Sequence, residues 1–357
     1  MAAVKDYKIF FSNLKYNQGH IKNEIQVSNG FKGLLNQGLK SISFTWYDTG
    51  SYENYKITSE VYSDEPFDFS KSNEFIFFKE KKVIKYFDDK EVLKNRYIRS
   101  KKLKGLVPKL NKISKNFYSY NKVEGNVLYE VLTEEKLKNF LIWSNENLWK
   151  KIKNVSKQKF KHLCHNFYYE KTFQRINSFR NKSKIQDQEY IINETKHKKL
   201  SYYIDLIDWN LICDGVPVRF HGDLQFDNII FTKNKTKPFT LIDWRQSFGN
   251  NIDYGDIYYD LAKLYGGIII SYKNIKKGLF KFDISGKEIY YSYSLENNLI
   301  ESKEIFENFL IKKNYDIKKV KILTGLIFLN MPPLHAYPFD HFLYFFGISY
   351  LRKIFTD

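Results

Sequence analysis

The residues best placed to do chemistry cluster between positions 217 and 244, in PVRFHGDLQFDNIIFTKNKTKPFTLIDW. His221-Gly222-Asp223 is followed by Asn228, five positions after Asp223, and then by the β-forming run Ile229-Ile230-Phe231. A turn leads to Leu241-Ile242-Asp243-Trp244. The carboxylate of Asp223 and the carboxamide of Asn228 therefore stand at the two ends of one tight loop. Hairpin pairing of the flanking runs brings Asn228 beside Asp243. Oxygen ligands of these two kinds suit a hard cation that keeps most of its coordination as water and phosphate oxygens, the habit of magnesium. Asp223 is left to face a substrate hydroxyl. A positioning carboxylate, metal ligands on a nucleotide and a cation on its phosphates are the set that phosphoryl transfer requires. Asp223 alone would read as a turn former, so the weight rests on the combination.

Those residues need a scaffold, and the flanking sequence supplies one of α+β class. EFIFF (74–78) and KVIKYF (82–87), separated by KEK, read as a β-hairpin. A helix follows within 88–105, capped by Asp88 or Asp89 and closed by Gly105, with Leu93, Tyr97 and Leu103 on one face. Two short strands, KLNKIS (109–114) and NFYSYNKV (116–123), complete a small lobe, and Glu124-Gly125 reads as a turn. After Asn126 the chain turns helical. Leu132, Leu137, Phe140, Leu141, Leu148 and Trp149 recur with helical spacing behind a Thr133 cap, and helices are expected near 155–182, 200–213, 256–266 and 301–313. The β-rich stretch 217–244 is thus an island in a helical lobe, a common setting for an active site.

HGD, Asn at the fifth position after its Asp, IDW and the later Gly255-Asp256-Ile257-Tyr258-Tyr259-Asp260-Leu261-Ala262 occur in that order. Together they resemble the signature of the aminoglycoside phosphotransferase/choline kinase superfamily over roughly residues 65–350. The resemblance implies a bilobal protein-kinase-like fold: a β-rich N-lobe at 65–125, and a larger, mainly helical C-lobe at 126–357 carrying the catalytic hairpin 217–244. It implies an enzyme that uses ATP as co-substrate and Mg2+ as cofactor. Asp223 becomes the catalytic base, or the residue that orients the attacking hydroxyl. Asn228 and Asp243 become the magnesium ligands, His221 a brace of the loop, and Asp260 an acceptor for the loop's backbone N–H groups. Lys85 in KVIKYF matches the lysine that meets nucleotide phosphates, and Glu91 is its expected partner. Ser72 and Asn73 stand where the family's nucleotide loop lies, without its glycines. Tyr120 and Lys122 lie in the segment that resembles the inter-lobe hinge, whose backbone would meet adenine. Arg245, His335, Tyr337 and Asp340 are the candidate substrate contacts, the last three in an irregular aromatic-rich loop at 329–342 that otherwise reads as a structural Pro-rich turn. For Arg245, phosphate contact and a solvent or salt-bridge role stand side by side.

Residues 1–64 form a separate N-terminal appendage. Trp46, Asp48, Gly50 and Tyr55 give it a likeness to the tail of sugar nucleotidyltransferase domains, against the alternative of an unrelated extension. That likeness points to a sugar or amino-alcohol acceptor used in cell-envelope glycan synthesis.

Composition sets the remaining bounds. The sequence of 357 residues is 43% hydrophobic, enough to bury a core. Two cysteines exclude a disulfide framework. Lys5 and Lys8 interrupt any signal-peptide core, no apolar run is long enough to span a membrane, and a cytoplasmic location is expected. The net charge of +18 comes from 58 basic residues spread through every region, so no nucleic-acid partner is expected. It disfavours polycationic acceptors. The partners expected are a nucleotide and a small hydroxyl compound, with the oligomeric state left open. The competing class is a catalytically silent kinase-like nucleotide-binding module.

Overall fold

A computed structural model of the chain describes residues 74–356 continuously and, before them, 6–16, 20–21, 24–25, 27–38, 49–51, 53–54 and 58. The chain divides into two compact units, Met1–Asp64 and Glu65–Asp357. In the first, helices run over Tyr7–Tyr16 and Val27–Lys32, with a 3-10 turn at Leu35–Gln37. The second of these helices is only six residues long, and a two-residue strand, Glu24–Ile25, precedes it. Gly33 just after Lys32 and Gly38, in the left-handed region at φ 75°, are poor helix interiors. Trp46, Asp48 and Tyr55 lie outside the described residues.

The second unit is bilobal and of α+β class. Its small lobe holds an antiparallel four-stranded sheet in the order Glu74–Lys79, Lys82–Phe87, Phe117–Asn121, Leu110–Ile113. The helix Lys90–Lys102 packs on it, and Asp89 caps that helix by accepting from the N–H groups of Glu91 and Val92 at 2.8 and 3.2 Å. Val83, Phe87, Leu93, Tyr118 and Tyr120 close the lobe's core. The buried face of the helix differs from the expected one: it carries Leu93, Arg96 and Arg99, while Tyr97 is only half-buried. Two buried arginines read as surface in a hydrophobicity pattern. They are buried because partners wait for them across the lobe boundary.

The large lobe is built around the helix Ile257–Ile269, apolar but for Asp260 and Lys263 and buried almost throughout. It packs against Ile317–Asn330, which packs in turn against the C-terminal helix Phe339–Thr356. The latter two are unforeseen in the sequence, since helices buried all round lack an amphipathic signature. The loop expected at 329–342 shrinks to the stretch between them. Lys157–His165 and Lys171–Ser183 are joined by a π-helical turn, Asn166–Glu170, into one rod. Ile229–Phe231 and Phe239–Leu241 form the island hairpin, with Ile229 opposite Leu241, and Ile230 also pairs with Val127 next to the lobe junction. No helix among the described residues is long and apolar enough to cross a membrane.

Candidate active site

The loop that carries Asp223 is tied down from three directions. Phe220, His221, Leu224 and Phe226 are buried on either side of it. From the core helix, Asp260 accepts from His221 N–H at 2.7 Å, from Gly222 N–H at 2.6 Å and from the indole of Trp149 at 3.2 Å. Burial pushes the Asp260 carboxyl up to about 6, against the pull of those hydrogen bonds. From the small lobe, Arg99 donates to the carbonyls of Phe220, Arg245 and, at 3.3 Å, His221, and lies 3.9 Å over the Phe220 ring. Burial lowers its pKa to about 9, which still leaves it cationic at neutral pH. From inside the loop, His221 Nε2 donates to Ile242 O at 2.9 Å and Nδ1 accepts from Asp223 N–H at 3.3 Å. Burial depresses its pKa to about 3, so the ring is neutral and its tautomer is set by these two bonds.

Gly222 shows how little room the loop has. Its φ is 89°, and a Cβ there would stand 2.7 Å from both the Arg245 Cβ and the Phe220 ring. Gly222→Ala is expected to destabilise the protein by about 2 kcal/mol or more, from strain and steric overlap together. A urea-unfolding comparison with the parent protein checks this; an unchanged midpoint would contradict it.

Asn228 and Asp243 come together as the hairpin requires. Ile242 N–H donates to Asn228 O at 2.9 Å, continuing the ladder by one pair and leaving Asp243 at the hairpin's open end. Asn228 Nδ2 donates to Asp223 O at 2.8 Å, which turns the amide oxygen outward as the atom able to ligate. Asp243 sits at φ 57°, a strained position for a non-glycine residue. Trp244 pins the next residue by donating to Arg96 O at 2.8 Å and stacking on Tyr118 at 6.0 Å. One carboxylate and one carboxamide oxygen fit a hard divalent ion that takes its other ligands from water and phosphate. No cluster of three or more His, Cys, Asp or Glu suited to a metal occurs among the described residues.

Lys85 is buried on the strand Lys82–Phe87 and ion-pairs with Asp243 across the lobe boundary. Arg96 reinforces that pair at 3.9 Å and binds Glu74 at 3.3 Å. Glu91 is not the partner of Lys85: it is exposed and pairs with Lys94 at 3.4 Å along its own helix. As the first acidic residue of the helix it stands by the cap, facing water, whereas Arg96 faces the cleft. Tyr120 lies in the small lobe's core with its ring beside Tyr118. Lys122 is exposed and its N–H is committed to Lys81 O at 2.8 Å. Ser72 and Asn73 lie outside the described residues.

The sequence reading missed a cation at the centre of the site. Lys263 Nζ stands 2.7 Å from Asp223 Oδ1 and is almost wholly buried. Burial opposes its charge, but Asp223 and the nearby Tyr259 and Tyr272 outweigh burial and raise its pKa. Asp260 and Lys263 are three residues apart in a helix that is otherwise apolar, IYYDLAKLYGGII. That isolated pair of charges was the available signal, since neighbours at that spacing share a helix face.

The candidate substrate contacts fare unevenly. His335 is near enough to Lys263 to feel its charge, and burial first, then Lys263, lower its pKa to about 4 against Asp340. Tyr337 is exposed. Asp340 is buried and turned back on its neighbour, accepting from His341 N–H and bonding its ring, both at 2.7 Å, so it does not project towards a substrate. Arg245 lies over the Phe167 ring at 5.2 Å and donates to Ser247 O at 3.0 Å.

Residues 122–273 match the family model described as "Phosphotransferase enzyme family". No curated protein matches the chain in sequence. Among solved structures, a streptomycin–ATP–APH(2")-IIa ternary complex is 17% identical with a TM-score of 0.44, over 85% of this chain and 96% of that one. The ethanolamine kinase of Plasmodium vivax is 15% identical with a TM-score of 0.39, over 96% of each chain. The choline kinase of Cryptosporidium parvum is 11% identical with a TM-score of 0.42, over 87% of this chain and 94% of that one. From residue 122 to residue 273, the span that holds the loop, the hairpin and the core helix, the chain is similar to the phosphotransferase enzyme family.

Proposed function

We propose that the chain is a magnesium- and ATP-dependent phosphotransferase that moves the γ-phosphoryl group to a hydroxyl of a small molecule, a sugar or an amino alcohol. The observation that carries this reading is the convergence of Asp223, Asn228 and Asp243 on one hairpin, with Lys85 reaching Asp243 from the other lobe. Asp223 accepts a hydrogen bond from the acceptor hydroxyl, fixes its line of attack and takes its proton as the bond to phosphorus forms. Lys263 keeps that carboxylate in place and adds positive charge where the transferring group passes. Asn228 and Asp243 would hold magnesium, which supplies charge neutralisation on the nucleotide's phosphates. Lys85 is the counter-charge of Asp243 and is placed to pass to a phosphate oxygen.

Calorimetric titration with ATP, with and without magnesium, tests this reading. Magnesium-dependent binding is expected. Lys85→Met should weaken it by about 10- to 100-fold, the range for one charge-assisted hydrogen bond. Glu91→Gln should leave it within about twofold, as for an exposed pair. Equal losses in the two variants would restore Glu91 to the site, and absence of magnesium-dependent ATP binding would remove the reading.

A further inference from the structure

The rod formed by Lys157–His165, the π turn Asn166–Glu170 and Lys171–Ser183 presents basic side chains near Asp223 that the transfer chemistry above does not use. Lys171 and Arg175 are one turn apart and share a face of the helix. The Lys171 ammonium lies 4.2 Å over the Phe167 ring and 6.0 Å from the Tyr259 ring. Arg245 lies over the same Phe167 ring at 5.2 Å. π turns commonly mark functional positions, and this one carries Phe167, the ring that both cations approach.

Among the described residues, no carboxylate is within ion-pair distance of Lys171, Arg175 or Arg245. Asp223, the carboxylate that acts on Lys171, is already paired with Lys263 at 2.7 Å. Arg245 ties the cluster to the Asp223 loop: its N–H donates to His221 O at 3.1 Å, and its Cβ stands 2.7 Å from where a Gly222 Cβ would lie. The cluster therefore adjoins the loop of Asp223, where the acceptor hydroxyl docks. Burial first, and then the like charges of Arg245, Arg175 and Lys263, hold the Lys171 ammonium well below its ordinary pKa, against the pull of Asp223. Burial and Arg245 also lower Arg175. Collecting cations in a partly desolvated place with no carboxylate in ion-pair contact is costly unless an anion completes the set.

We propose that the acceptor carries an anionic group, a carboxylate or a phosphate, that docks on Lys171, Arg175 and Arg245 while its hydroxyl faces Asp223. This rests on the phosphotransferase reading and narrows its acceptor class. Acceptors bearing several ammonium groups are repelled at the same place.

Matched acceptors test the proposal: a hydroxy acid and its amide, a sugar acid and the parent sugar, a sugar phosphate, and an amino alcohol. Each is assayed with ATP and magnesium against the parent protein, Arg175→Gln and Arg175→Glu. Anionic members are expected to exceed their neutral isosteres by about 100-fold in kcat/KM, as for loss of a buried charge partner. Arg175→Gln should raise KM for the anionic acceptor by about 10-fold or more and leave KM for ATP within about twofold. Arg175→Glu should move preference towards the neutral or cationic member. Within the anionic set, the sugar acid against the sugar phosphate separates the two sources of charge. Best turnover with a neutral or cationic acceptor overturns the proposal while the phosphotransferase reading stands. So does an Arg175→Gln effect on ATP alone. If no member turns over, thermal shifts with the same compounds decide: stabilisation by the anions that is lost in Arg175→Gln supports the proposal, and equal shifts for charged and neutral members overturn it. Loss of magnesium-dependent ATP binding in the parent protein is the separate sign that the underlying reading fails.

Discussion

Asp223→Ala is expected to lower turnover by about 100- to 10,000-fold, the range for removing a group that handles a proton in the transition state. The residue is placed for that effect and for little else. Its side chain is partly open to the cleft and ion-pairs with Lys263 at 2.7 Å. The loop does not depend on the carboxylate for shape, because its backbone is held by Asp260, Arg99 and His221. Folding should therefore survive, and binding of ATP with magnesium should persist, since Lys85 and Asp243 are untouched. Lys263→Met offers a graded comparison. It leaves the carboxylate in the cleft without its neighbour, so activity should fall less than in Asp223→Ala. The double variant should fall no further than Asp223→Ala alone, because two residues that act as a unit are not additive. Steady-state rates for the three variants, beside circular dichroism of each, check the order. Full activity in Asp223→Ala would remove the residue from its role.

Arg99→Met is expected to cost about 3–5 kcal/mol of stability, the range for breaking a buried charged network by removing one partner. The guanidinium comes from the small lobe and holds carbonyls at Phe220, His221 and Arg245, on both strands of the catalytic loop. Removing it takes their donor from the Phe220 and Arg245 carbonyls, while His221 O keeps the Arg245 N–H, and it takes away the positive charge that favours ionised Asp260. Methionine keeps most of the volume, so the loss reports on the polar contacts more than on a cavity. Because the loop flanks Asp223, activity should fall as well, even at temperatures where the variant remains folded. Chemical denaturation with parallel rate measurement separates the two effects. A loss below about 1 kcal/mol would mean that Arg99 packs there without anchoring the loop.

These two residues also mark how far the sequence could be read. Asp223, Asn228 and Asp243 were legible because their spacing is set by a short hairpin, and a hairpin's register follows from local turn geometry. Lys85 was legible for a similar reason: a charge on a strand whose neighbours alternate with the sheet calls for an explanation. Arg99, Arg96 and Lys263 were not. Each is a long cation in a helix, where surface exposure is the ordinary expectation. Their partners across the site are remote in sequence: Arg99 reaches His221 122 positions away, and Trp244 meets Arg96 148 positions away. Glu91 misled for the complementary reason: it was the acidic residue near Lys85 in sequence, and local sequence does not say which side of a helix meets the cleft. Phe339–Thr356 escaped because burial on every side erases the helical period.

Transfer of a phosphoryl group to a hydroxyl leaves its mark in the products. The parent protein is incubated with γ-labelled ATP, magnesium and the acceptor panel, and the label's destination is determined. The account predicts label on an acceptor as a phosphate monoester, with ADP formed in equal amount, and loss of that product in Asp223→Ala. Magnesium-dependent ATP binding with label confined to ATP across the panel would contradict it and mark the chain as a nucleotide-binding module without transfer activity.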